Sequence, residues 1–184
     1  MRGIGAAFLF FVAAAAPLGA QPAPSPAGAP LECLFEGVTP EQRALAGPIA
    51  LQRLSDFPAD GDERGVSALD AILAALPRCA EAGGWTETQR EMAELYLMAQ
   101  LGRDEMRRHY AAQNVDLTFI DGIVAAATPD SPPPFEEMAA RVRAQGVTGE
   151  RTDSAEDIVY LYLELTVRAE AIPGVFAEAG AEPR

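Results

Sequence analysis

Residues 154–172 read SAEDIVYLYLELTVRAEAI, and the fold class turns on whether this run is a strand or a helix. Val159, Leu161, Leu163, Leu165 and Val167 alternate with other residues, as they would along a half-buried strand. The flanks favour a helix instead. Ser154 can cap, Glu156 and Asp157 suit the positive end of a helix dipole, Arg168 suits the negative end, and Pro173-Gly174 marks a stop. With Ala155–Ala171 helical, the chain reads as all-α.

Working back towards the N-terminus, Phe135–Ala144 reads as a helix behind a loop, Thr128–Pro134, whose sequence TPDSPPP cannot continue one. Asp116 is placed to cap a helix carrying Leu117, Ile120, Ile123 and Val124. Before it comes a polar helix, Arg103–Gln113, which Gly102 is expected to separate from an apolar one running from Thr86 to Leu101. Thr86 with Gln89 forms a capping-box pattern, and Trp85 precedes the cap where a hydrophobic staple forms. Val66, Leu69, Ile72, Leu73 and Leu76 form one helical stripe that Cys79 continues past Pro77, with Gly83-Gly84 as its end. Thr39-Pro40-Glu41-Gln42 is a second capping-box start, and Pro48 should kink or restart that helix. The expectation is a compact bundle of five to seven helices in one domain, residues 31–172, with a flexible tail over 173–184. No internal repeat or heptad series is visible.

The N-terminus reads differently. Arg2, an apolar run from Ile4 to Ala16, the helix breakers Pro17 and Gly19, and the small Ala20 have the layout of a cleavable secretory signal peptide, residues 1–20. The apolar run is too short to span a bilayer, which takes about 20 apolar residues, so no stable membrane span is expected after cleavage. Residues 21–30, QPAPSPAGAP, lack the apolar side chains of a core and read as a disordered Pro/Ala linker. A periplasmic or secreted bacterial protein follows.

Export decides how the two cysteines are read. In an oxidising compartment Cys33 and Cys79 are most simply a structural disulfide. There is no CxxC for a redox pair, and His109, the single histidine, cannot complete a zinc set. The remaining composition works by exclusion. A net charge of -13 disfavours nucleic acid and anionic membrane surfaces. All fourteen basic residues are arginine, which removes lysine chemistry. No GxSxG, HExxH, P-loop or GxGxxG pattern is present, and no cofactor or metal site is expected.

Few residues stand out as candidates. An EF-hand-like run with Asp56, Asp60 and Gly61 fails at Pro58 and at Ser67, where ligands are required. Glu105 and His109 share a helix face at a spacing that gives an ordinary surface pair. Arg103 and Arg107 lie on one face and can receive an anion, although Asp104 and Glu105 are spaced to neutralise the cluster through Arg108. Asp121 and Glu164 each interrupt an apolar segment and are the catalytic candidates, as acids whose pKa burial would raise. Glu164 also has Arg168 four residues on.

Cys33-Leu34, Cys79-Ala80 and Gly84-Trp85, in the order Cys…Cys-Ala-x-x-x-Gly-Trp, resemble small exported all-helical proteins found in alphaproteobacterial genomes. That resemblance implies a periplasmic setting and a structural disulfide and carries no activity with it. The function expected is a non-catalytic interaction or ligand-binding module. Its groove near Trp85, Tyr96 and Tyr110 would hold a protein or a small apolar ligand of the cell envelope. The alternative is a cell-envelope hydrolase using Asp121 and Glu164 as paired carboxylates.

Overall fold

The computed structural model describes residues 31–57, 61–128, 130–147 and 154–181. The signal segment 1–20, the linker 21–30, Asp60 of the EF-hand-like run and residues 182–184 lie outside the described residues. What is described is all-helical. A short 3-10 helix, Leu31–Phe35, is followed by α1 (Pro40–Leu54), α2 (Glu63–Leu73), α3 (Ala75–Gly83), α4 (Glu87–Ala111), α5 (Thr118–Ala126), α6 (Phe135–Ala144) and α7 (Ala155–Ala181). Among the described residues the only β pairing is an isolated bridge, Thr128 to Ser131, in the proline loop.

Local signals set most helix starts. Thr39 and Thr86 both close full capping boxes, with Gln42 and Gln89 reaching back to the cap amides. Ser154 Oγ accepts the Asp157 amide at 3.1 Å, so the segment 154–172 begins as a capped helix. Its buried residues Ile158, Tyr162, Leu165 and Ala169 recur at three and four, which is the helical period. Gly84 ends α3 in the left-handed conformation (φ 60°), and Trp85 N–H bonds back to Ala80 O at 2.9 Å.

Several expected breaks are not where the sequence placed them. Pro48 does not end or restart α1, which runs unbroken to Leu54. The carbonyl that loses its amide partner to a proline at 48 is that of Ala44, and the Arg108 guanidinium donates to it at 2.8 Å. The stripe from Val66 to Cys79 is two helices, joined at Ala74, so that Pro77 falls in the first turn of α3, where amides are unpaired anyway. Val66 is 40% exposed and does not belong to the buried stripe. Gly102 does not separate two helices either. It is buried inside α4, and a Cβ there would lie 3.4 Å from Leu165 and 3.6 Å from Leu51. The packing of α1 and α7 against this point outweighs the roughly 1 kcal/mol that glycine costs a helix.

The C-terminal stop also fails. α7 continues through Pro173 to Ala181, so residues 173–181 are not a loose tail. Phe176 is buried edge-to-face on Trp85, with ring centroids 5.0 Å apart. Gln89, already part of the α4 capping box, donates through Nε2 to Phe176 O at 3.1 Å. Trp85 therefore packs on α7 instead of stapling α4, whose N4 position is Arg90.

The apolar side chains form two clusters. The first joins the 3-10 helix, α1, α2, α3 and the N-terminal half of α4, with Phe176 closing it. The second joins the end of α1, the C-terminal half of α4, α5, α6 and α7. α4 and α7 run antiparallel, because Gln89, Arg103 and Arg107 meet Phe176, Glu170 and Tyr162 in reverse order. Cys33 and Cys79 are bonded, with their Cα atoms 6.1 Å apart and a sequence separation of 46. The bond ties the 3-10 helix to α3 and holds Leu31 and Leu34 in the first core.

Candidate functional site

Three helices meet at a polar cluster in the second half of the domain. Arg107 comes from α4, Asp121 from the first turn of α5, where the helix dipole favours an acid, and Tyr162 from the buried face of α7. Arg107 Nε donates to the Tyr162 hydroxyl and Nη2 donates to Asp121 Oδ2, both at 2.5 Å. The Tyr162 hydroxyl donates in turn to Asp121 Oδ1 at 2.9 Å. Both oxygens of Asp121 are engaged, and Arg107 has a second acid in Asp104 at 3.8 Å.

This arrangement fixes the protonation of the phenol. Burial pushes the Tyr162 pKa well up, and that outweighs the opposing hydrogen bond and charge of Arg107, while the Asp121 carboxylate adds to the rise. Burial pulls the Arg107 pKa down, but its bonds to Tyr162 and Asp121 carry it above the ordinary value. At neutral pH Tyr162 is a protonated phenol whose hydrogen is committed to a carboxylate. It offers no base and no nucleophile.

A raised tyrosine pKa is also a stability statement. The contribution of Tyr162 is fully present below the unfolded pKa of about 10 and is lost as pH rises through the higher folded value. Absorbance titration should therefore show Tyr162 still protonated past about pH 10, until the fold opens. Tyr162→Phe should remove one equivalent from the late ionisation. A late ionisation unchanged by Tyr162→Phe would mean that burial does not hold the Tyr162 phenol protonated.

The other candidates are separated. Glu164 lies two residues beyond Tyr162, about 200° round the helix, and pairs with Arg168. Asp121 and Glu164 thus engage different faces of α7 and are not brought together. Arg103 is bound by Glu170 at 3.0 Å and Gln100 at 2.7 Å, so it does not share an anion with Arg107. Glu105 is buried against Gly47 and paired with Arg108, not with His109. His109 Nε2 lies 2.9 Å from Gln113 Nε2 and the ring packs edge-on to Phe57. Trp85 and Tyr110 are buried in different clusters, and Tyr96 is half-buried against Phe35. The three aromatics do not line one groove.

Two depressions open on the surface near α5. One of about 370 Å³ runs beside Arg107 along Asn114–Thr118. Asp116 accepts both the amide and the hydroxyl of Thr118, and these bonds hold its carboxyl pKa below the usual range. The other, about 330 Å³, is lined by Phe119, Gly122, Ile123, Ala126 and the run Pro132–Pro134. Among the described residues no three His, Cys, Asp or Glu side chains converge as metal ligands. Nor is any described helix long and apolar enough to cross a membrane.

The fold and the cluster together define a disulfide-tied, all-helical domain cross-linked by a partly buried Arg–Asp–Tyr network. No family model, curated protein or solved structure matches the chain.

Proposed function

We propose that the chain is an exported, non-catalytic module of the bacterial cell envelope that holds an apolar segment of a partner protein in the groove between α5 and Pro132–Pro134. One observation carries the reading. The sequence of α5 is TFIDGIVAA, yet Ile120 alone is buried, while Phe119, Ile123 and Val124 are only partly covered. Phe119 and Ile123, so placed, line the groove, where the apolar surface of a partner would complete their burial.

The shape of the groove favours a protein segment over a small molecule. Enclosed ligand sites cover about 70–90% of their ligand, whereas this groove is shallow and open along its length. Pro132, Pro133 and Pro134 offer it a wall with no backbone donors and little conformational freedom to lose on binding. Export rests on the sequence of residues 1–20, and Asp121 and Glu164, each held by an arginine and engaging different faces of α7, give the reading no catalytic rival of equal support.

Protein recovered from the periplasmic fraction of its own host should begin at Gln21 on N-terminal sequencing. In native mass spectrometry it should carry a partner that Ile123→Asp removes while the helical circular dichroism of the variant is retained. Retention of residues 1–20 in a cytosolic fraction would overturn export. A chain free of any other protein, or a partner retained by Ile123→Asp, would overturn the binding reading.

A further inference from the structure

We infer that the outward face of α7 is a self-association surface, on which a second copy of this chain packs antiparallel about a two-fold axis near Val167. At 100° per residue, Tyr160, Glu164, Val167, Ala171 and Val175 fall within one narrow stripe, opposite the buried face of Tyr162, Leu165 and Ala169. Tyr160 is 64%, Val167 43% and Val175 48% exposed. Of the five large apolar side chains exposed among the described residues, three lie on this one stripe, about 22 Å long. The other two, Val66 and Leu95, are on different helices.

What selects a second copy is that the stripe complements itself when reversed. Centred level with residue 166, one residue from Val167, an antiparallel pair sets the Tyr160 ring of one helix between Ala171 and Gly174 of the other, the smallest side chains on the stripe. It also brings Glu164 of each copy opposite Arg168 of the second. Glu164 and Arg168 already pair within α7, so the four groups close a ring of alternating charge. A parallel pair would instead oppose Tyr160 with Tyr160 and Glu164 with Glu164, which is repulsive.

Other charges work against the contact. Asp157 and Glu178, at the two ends of the stripe, meet across the antiparallel pair, and each chain carries a net charge of -13. Salt screens this repulsion. A single-helix contact also lies at the small end of stable interfaces, so the association is reversible. The surface shares no residue with the α5 groove and stands independently of it.

Sedimentation of the purified full chain from about 1 µM to about 1 mM should show a monomer–dimer equilibrium that tightens as salt is raised from low ionic strength. Val167→Asp should weaken it by about tenfold or more without moving the unfolding midpoint, since Val167 is exposed. Glu164→Arg and Arg168→Glu should each weaken it, and the double exchange should restore it. A short bis-maleimide should link Val167→Cys to itself but not Tyr160→Cys. A monomer throughout the range, or a dimer indifferent to Val167→Asp, overturns the inference. Self-linking of Tyr160→Cys, or no restoration by the double exchange, overturns the antiparallel geometry.

Discussion

Phe176→Ala should lower the unfolding free energy by about 3–5 kcal/mol, the usual cost of emptying a buried aromatic site, and the midpoint by about 10 °C. The size follows from what the ring alone accomplishes. Pro173 takes a hydrogen bond out of α7 and would normally end it, at a cost of about 3 kcal/mol. The helix continues because Phe176 reaches Trp85 and its carbonyl receives Gln89. Gly180 allows that approach, since a Cβ there would lie 2.7 Å from Gln89 Nε2. Without the ring the turns beyond Pro173 should fray. Trp85 is the only tryptophan, so its fluorescence reports on this contact directly. The variant should show red-shifted emission, less helical circular dichroism and an earlier urea transition. Unchanged Trp85 emission would mean that α7 does not close the first core.

Removing the disulfide is the second large effect. Closing a loop of 46 residues stabilises the fold by about 4 kcal/mol in the chain-entropy description. The 3-10 helix has little else to hold it. Leu31 and Leu34 are buried, Phe35 packs on Tyr96, and Arg43 stacks over Phe35 at 4.0 Å. Ordering five residues costs about 1–2 kcal/mol each in backbone entropy, comparable to what those side chains regain. Cys33→Ser with Cys79→Ser, or dithiothreitol, should therefore release residues 31–35 first and lower the global midpoint in urea. Limited proteolysis near Phe35 should follow the reduced state. Equal midpoints for oxidised and reduced protein would show that the bond contributes nothing.

Much of the architecture was legible because its causes are local. The caps at Thr39, Thr86 and Ser154 lie within three residues of the amides they bind, and each was visible as a pattern. The end of α3 at Gly84 is of the same kind. The failures share the opposite character. Pro48, Gly102 and Pro173 are breakers by propensity, and each is overridden by a partner remote in sequence: Arg108, Leu165 and Trp85 respectively.

The polar cluster divides in the same way. Asp121 stood out as an acid interrupting an apolar segment and Arg107 as part of a basic concentration, but nothing local joined them. Tyr162, which links them, sits in an aliphatic run where an aromatic hydroxyl reads as one more core residue. Its separation of 41 residues from Asp121 is beyond any pattern in the sequence.

α4 belongs to both apolar clusters, with Ala93 and Leu97 in one and Met106 and Tyr110 in the other. Neither half can melt without stripping the helix that the other half needs as a wall. Two cores built on one 25-residue helix are thus bound into one cooperative transition, and damage at Trp85 is felt at Tyr162 as lost stability. The shared helix runs unbroken through the buried Gly102 between them.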